Sequence, residues 1–510
     1  MRPNRKWCVV DQLSYVVNWI AKDIFGVPAY LVGLMTLSAL IASRKGAGDV
    51  IGGALKATLG FIILGIGAGA VIGALTPLGA LITGSFGVAG VVPTNEAITA
   101  IVNDIPDVAQ NIAFAMFIGV VASLVIARLT PLRYVFLTGH HMLFMATVLT
   151  VVLYNAHVEP VVQILVAAFG LATMMVIMPA FTMPWMKKVT GNQPVAMGHF
   201  GSFGYIAAGV TGQIVGRGSK STEEMQFPQG LRFLRDPMVG TAVAMIVIYL
   251  LLATVFALRV GEAAALQSVT DAGFAGVAGA AGGFLGFLST MFNQALVFGG
   301  GVAVILLGVR TILGEIVPAF AGIAERVIPG AVPALDCPIA FPYAPNAVLV
   351  GFLASVVGGL VGFGVLWAGL GAALVVPLIL PGMIPHFFTG GTAGVFGNAT
   401  GGRRGAVAGG FVNGLIITLV AAFLIPVMGA IGFQGTTFGD ADFQWFGFIV
   451  GNIARIEGNV AALGIVALCA LLLMFASWFQ RRFVDTGWVP GGTPSEPPAA
   501  KTEQVAHGAA

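Results

Sequence analysis

The sequence predicts an all-α polytopic membrane protein. Three observations carry that prediction. Of 510 residues, 57% are hydrophobic and only 9% charged, whereas soluble domains carry roughly 25% charged residues. Apolar runs of about 20 residues, the length that crosses a bilayer, recur along the whole chain. The 72 glycines and 26 prolines suit close helix packing and interrupted helices. The net charge of +3 is small and its basic residues sit in short loops, so no nucleic-acid partner is expected. Cys8, Cys337 and Cys469 have no CxxC spacing, so neither a metal site nor a disulfide framework follows, and no cofactor is expected.

Residues 1–25 read as an amphipathic helix. Val9, Leu13, Val16, Ile20 and Ile24 recur at three to four residues, while Asp11, Gln12, Asn18, Lys22 and Asp23 fill the other face, the pattern of a helix lying at the membrane interface. Those polar residues interrupt any signal-peptide core, so cleavage is not expected. Residues 26–260 form a first transmembrane repeat, with spans at 25–42, 59–82, 110–127, the run to Tyr154 headed by FLTGHHMLF (136–144), 161–183 and 239–258. Within it, 88–107 is polar enough to be a loop or a re-entrant segment. Residues 277–480 form a second repeat plus a final helix. Its segments are 284–317, 347–380 (two passes, or one with a bend), 406–431, 443–451 and 460–479. The Gly/Thr clusters of 382–405 argue for a re-entrant hairpin. The tail from 481 to 510, rich in Pro, Gly and Ala beyond residue 487, reads as a disordered cytoplasmic tail. About eleven spans follow. Arg481 and Arg482 place the C-terminus inside, as Arg44 and Lys45 do the first loop; the basic start from Arg2 to Lys6 argues the other way for the N-terminus.

The chain is organised around PGAVPALDCPIAFPYAPN, residues 329–346. Asp336 is its lone carboxylate, and Pro329, Pro333, Pro338, Pro342 and Pro345 interrupt it. Proline removes backbone donors and kinks a helix, and broken backbone at membrane depth survives only against protein or a water-filled cavity. An ionisable residue there is a functional candidate. Asp336 is either a hydrogen-bond acceptor for a hydroxylated solute or one member of a buried ion pair. An ionised carboxylate accepts several hydroxyl hydrogen bonds, which suits sugars. His140 and His141, in a Thr-Gly-His-His break, and His199, in a glycine-rich segment, are each site residues or histidines satisfied in the core. The adjacent pair points to different sides of a helix, which does not suit a metal. Asn95 and Glu96 follow Pro93 and are site or loop residues. His386, Thr389, Thr392 and Asn398 belong to the proposed hairpin. Arg310, Glu315, Glu325 and Arg326 read as structural ion pairing or a cytoplasmic mouth.

The two halves resemble each other. Gly67, Gly73 and Pro77 match Gly308, Gly314 and Pro318 at a constant offset of 241, which also sets Asn95 opposite Asp336. Further on, FLTGHHM (136–142) matches FFTGGTA (387–393). Many transporters are built from such repeats, with the solute site between them near the midplane. No GxxxxGK[ST] motif is present, so this chain holds no ATP-driven cassette, and no catalytic group of its own is expected. Transport energy then comes from a gradient or from another protein.

RVIPGAVPALDCPIAFPYAPNAVLVGF (326–352), LTGHHM (137–142), MGH (197–199) and IPHFFTGGTAGVFGNATGGRRGA (384–406) resemble the ascorbate-specific EIIC component of the bacterial phosphotransferase system, in order from about residue 60 to 404. The resemblance implies a homodimer of about eleven-span protomers in the bacterial inner membrane. Each would have inverted repeats, a substrate-holding core domain and a V-motif domain. It implies import of L-ascorbate, phosphorylated at the cytoplasmic side by a separate phosphocysteine EIIB fed by EIIA. It also implies that Asp336, His140 and His199 hold the solute. Other family ligand positions carry different residues: Phe144 and Phe200 stand where the family has glutamines, Ala68 for a serine, and Asn95-Glu96 for a Thr-Tyr pair. Each hydrogen bond lost to a buried hydroxyl costs ~1–3 kcal/mol, and two such losses weaken binding on the order of a hundredfold. Two alternatives remain: an EIIC for another sugar or polyol, and an uncoupled or ion-coupled carrier with the same fold.

Overall fold

Apolar segments without internal turn signals fold as long helices, and the breaks between them place the polar residues. The computed structural model describes residues 15–25, 27–86, 90–103, 105–225, 237–271, 283–326, 328–429, 436–456 and 459–492. Most of the expected N-terminal amphipathic helix and of the tail, 1–14 and 493–510, lies outside the described residues; Ile20–Phe25 is a π-helical turn. Helix α1 (Pro28–Ala42) starts on a proline, whose missing N–H costs nothing there. Helix α2 (Ala47–Phe86) carries Pro77 inside it. After β1 (Val92–Pro93) come α3 (Asn95–Asn103) and α4 (Pro106–Leu129). The described residues between 90 and 103 are thus a short strand and a short helix. Then follow β2 (Tyr134–Phe136), α5 (Gly139–Asn155), α6 (Pro160–Thr190), β3 (Ala196–Met197), α7 (Ser202–Val215), α8 (Pro237–Val260) and α9 (Glu262–Asp271). The second half runs through α10 (Gly283–Arg326), β4 (Val332–Leu335), a 3₁₀ turn Cys337–Tyr343, α11 (Pro345–Val365), α12 (Met383–Leu424), β5 (Thr436–Thr437), α13 (Ala441–Ala454) and α14 (Asn459–Phe479).

Among the described residues, seven helices are long and apolar enough to cross a membrane, or eight if the bent pair Met245–Val260 and Glu262–Ser268 forms one span. Helix α12 enters that figure once, although Gly401 and Gly402 (φ 56°) divide it into two limbs. The stretch 382–405 is helical up to that break, where the chain folds back: Gly397 meets the Gly405 backbone and Asn413 bonds Thr389 across the two limbs. Its glycines serve contact: a Cβ on Gly394 would collide with the backbone of Ala347 and Gly351 in α11.

Helices α2 and α10 cross antiparallel through glycine. A Cβ on Gly67 would run into the backbone of Gly301 and Ile305, and one on Gly308 into that of Gly60 and Leu64. The axes approach because no side chain stands between them. Lys56 pairs with Glu315 at 3.3 Å near the same crossing.

Two small parallel sheets join the halves. β1 pairs with β5, Val92 opposite Thr436 and Pro93 opposite Thr437. β4 lies between β2 and β3, with Tyr134 opposite Val332 and Ala196 opposite Ala334. This pairing satisfies backbone groups that broken helices leave open. The halves thus exchange strands instead of folding as separate bodies, and Asn95, His140, His199, Asp336 and Asp440 each sit just beyond a strand end.

Candidate functional site

A cavity of about 340 Å³ opens where those strand ends meet α1 and α2. One wall is apolar, from Val27, Phe61, Ile62, Leu64 and Ile72; the other is polar, from Asn95, His140, His141, His199, Asp336 and Asp440. No lysine or arginine is among its described lining residues.

Asp336 directly follows β4 and is 9% exposed. Its Oδ1 accepts a hydrogen bond from the Cys337 N–H at 2.7 Å. His140 Nε2 stands 3.4 Å from Oδ2, and His199 Nε2 stands 3.7 Å from Oδ1. The carboxylate is therefore flanked by two imidazoles. His199 is buried, and its Nδ1 accepts from the Gly201 N–H at 3.0 Å and lies 2.8 Å from the Tyr205 hydroxyl. A nitrogen that accepts a backbone N–H cannot carry the ring hydrogen, so in the neutral ring the proton is on Nε2 and points at Asp336. His141 is buried as well. Its Nδ1 accepts from the Phe200 N–H at 3.4 Å and its ring stacks on Phe443 at 5.3 Å.

These tautomers bear on metal binding. Ligand atoms of His140, His141 and Asp336, of His141, His199 and Asp440, and of His199, Asp336 and Cys337 lie within 4.8 Å of one another. In neutral His199, however, an N–H faces the cluster in place of a lone pair, which suits a hydroxyl oxygen better than a cation.

Asn95 is buried. Its Oδ1 accepts the Gly439 N–H at 2.8 Å, which fixes the amide so that Nδ2 donates to Asp440 Oδ2 at 2.9 Å. Asp440 was not among the residues the sequence singled out. The signal was present, because the offset of 241 that pairs Asn95 with Asp336 also pairs His199 with Asp440. Nearby Asp442 instead caps α7, accepting the N–H groups of Ser202 (2.7 Å) and Phe203 (3.1 Å).

The remaining sequence candidates divide. Phe144 is buried and lines the cavity. Phe200 does not line it: the ring is fully buried and stacked on Phe136 at 4.9 Å. Ala68 lies on α2 and Glu96 on α3, but their side chains are outside the described residues. His386, bonded to Ser355 at 2.8 Å, and Thr389, bonded to Asn413 at 2.9 Å, form a buried polar network between α11 and α12 away from the cavity. Asn398 accepts the Thr222 N–H at 2.9 Å.

A model of the family described as the PTS system sugar-specific permease component (EIIC-GAT) matches residues 23–442. The chain belongs to this family. The chain is also 26% identical, over 376 residues, to the ascorbate-specific PTS system EIIC component of Mycoplasma pneumoniae. That match covers 68% of the chain and 57% of its relative, so the chain spans somewhat over half of the relative's length. Family and apolar helices together make it a multi-pass membrane protein.

Proposed function

We propose that the chain is the EIIC permease of a phosphoenolpyruvate-dependent phosphotransferase system. It binds a polyhydroxylated sugar or sugar acid and carries it inward for phosphorylation by a separate phosphocysteine EIIB. The observation that carries this reading is Asp336, an acceptor held between His140 and His199 on the polar wall of a cavity of about 340 Å³. L-ascorbate is the first solute to test, on the strength of the relative's name; another sugar or polyol is the alternative.

The reading includes two inverted repeats, one substrate-holding core, a V-motif scaffold and a homodimer. Inversion is supported by the crossing of α2 with α10. The contact of Gly67 with Gly301 and Ile305 recurs 241 residues on as that of Gly308 with Gly60 and Leu64. An antiparallel crossing whose contacts repeat under one offset has a two-fold axis across the helices, hence in the membrane plane. A cytoplasmic C-terminus is supported by basic residues gathered at one end: Lys187 bonds the Val484 carbonyl at 2.8 Å and Lys188 the Pro490 carbonyl at 2.7 Å, beside Arg481 and Arg482.

The test is uptake of labelled L-ascorbate and hexitols into vesicles holding the permease. Uptake that needs phosphoenolpyruvate and the soluble phosphotransferase proteins, and that ends in phosphorylated solute, is expected. Uptake driven by a proton or sodium gradient without them refutes this reading in favour of an ion-coupled carrier of the same fold.

A further inference from the structure

We propose that Asp440 is a second solute-gripping carboxylate of the cavity, positioned by Asn95 and standing to the first half of the chain as Asp336 does to the second. The inference rests on the permease reading and adds a residue to it.

The local geometry is that of a site residue. Asp440 occupies the N-cap position of α13, where an aspartate ordinarily accepts the N–H of the second or third helical residue, yet its side chain makes no such bond. The carboxylate turns to the cavity instead, takes the Asn95 Nδ2 hydrogen bond at 2.9 Å, and has an oxygen within 4.8 Å of ring nitrogens of His141 and His199. It is only 3% exposed. Forgoing a cap and burying a carboxylate are both costly.

The repeat gives an independent line. A shift of 241 residues carries Pro93 opposite Thr437 onto Ala334 opposite Ala196. The same shift moves Val91, whose N–H bonds the Leu378 carbonyl, onto Val332, whose N–H bonds that of Arg133. It carries Asn95 onto Asp336 and His199 onto Asp440. Each sheet therefore delivers one carboxylate from the second half and one nitrogen donor from the first: Asp336 with His199, and Asp440 with Asn95. Two carboxylates flanking His199 suit a solute with hydroxyl donors on two edges, each carboxylate accepting from one edge.

The experiment is calorimetric titration of the full-length protein in nanodiscs with L-ascorbate, its C5- and C6-deoxy analogues and a panel of neutral hexitols. Asp440→Asn is expected to weaken the tightest probe at least tenfold. The Asp440→Asn and Asp336→Asn variants should also become indifferent to different hydroxyls, which a merely structural role would not produce. Should Asp440→Asn not fold, Asp440→Glu keeps the charge and is expected to shift affinity at least fivefold. A folded variant at Asp440 with unchanged affinity, or both asparagine variants losing sensitivity to the same hydroxyl, overturns the assignment of Asp440 alone. Failure of every probe to bind the unmodified protein overturns the permease reading and this inference with it.

Discussion

Replacing Asp336 by asparagine isolates the charge at the site. Asparagine has the same shape, and its oxygen can still accept the Cys337 N–H now bonded at 2.7 Å, so the strand end and the 3₁₀ turn after it should be undisturbed. What disappears is the ionised acceptor between His140 and His199. A hydrogen bond to a charged group is worth about 1.5–3 kcal/mol against about 0.5–1.5 for a neutral pair. If the solute places two hydroxyls on this carboxylate, the loss is about 2–3 kcal/mol, or roughly 30- to 150-fold in Kd at about 1.4 kcal/mol per tenfold. Folding should survive, because the substitution removes a buried charge without opening a cavity. Titration at pH 7 with the best-binding solute, alongside a melting curve, reads both quantities. A weakening of at least tenfold at unchanged Tm is expected. Equal affinity in the two proteins would falsify the placement of the solute on Asp336.

Other substitutions separate cavity from core. Phe144→Gln puts an amide on the cavity wall and should tighten L-ascorbate binding in the same titration, whereas Phe200→Gln buries an amide inside the Phe136 and Phe443 cluster and should lower stability by ~1–3 kcal/mol, read as a drop in Tm. Gly67→Val and Gly308→Val meet equivalent backbone across the α2–α10 crossing and should destabilise to a similar degree, ~1–3 kcal/mol for overpacking. Gly69→Ala, where an added Cβ meets nothing within 4 Å, is the control, and unequal losses at the two valines would argue against a two-fold crossing. Burial raises the Glu223 carboxyl above its ordinary value of 4.5 at a turn outside the spans, where it accepts the Ala347 N–H at 3.1 Å. The folded state then holds that proton more tightly than the unfolded chain. Its contribution to stability is full below pH 4.5 and is lost as pH climbs through the raised folded value, so Glu223→Gln should flatten the decline of Tm on the alkaline side of 4.5.

Asp336 was legible because charge and irregular backbone are both costly at membrane depth, and one stretch of the chain holds them together. Asp440 was hidden for the opposite reason. In Gly-Asp-Ala-Asp-Phe it looks like a routine helix cap, and Asp442, two residues on, does cap a helix. Nothing local tells the two apart; the repeat offset does. Phe200 came from the family's glutamine position beside His199, and its ring is buried on Phe136 and does not line the cavity. Residues leaving a strand point to alternate sides, so the neighbour of an inward histidine packs into the core. At 382–405 glycine serves a turn and a tight helix contact at once: the chain folds back at Gly401–Gly402, where Gly397 meets the backbone of Gly405, and both limbs pack on Gly351 of α11. Composition shows the turn, but not that the limbs leading to it are regular helix, because Gly351 is remote in sequence. The repeat itself shows the same limit. Shared glycine, threonine and phenylalanine letters set FLTGHHM against FFTGGTA, 251 residues on. Backbone pairing sets a different register: Tyr134 bridges Val332 and Ile379 bridges Val91, which makes Tyr134 the counterpart of Ile379 at 245. That register brings His141 opposite His386, two buried histidines near the starts of their own helices, and sets His140, which lines the cavity, opposite Pro385. A hydrogen-bond ladder must be satisfied wherever it is buried, whereas letters drawn from a glycine-rich composition can agree at several offsets, so the ladder decides which residues of the two halves do the same work.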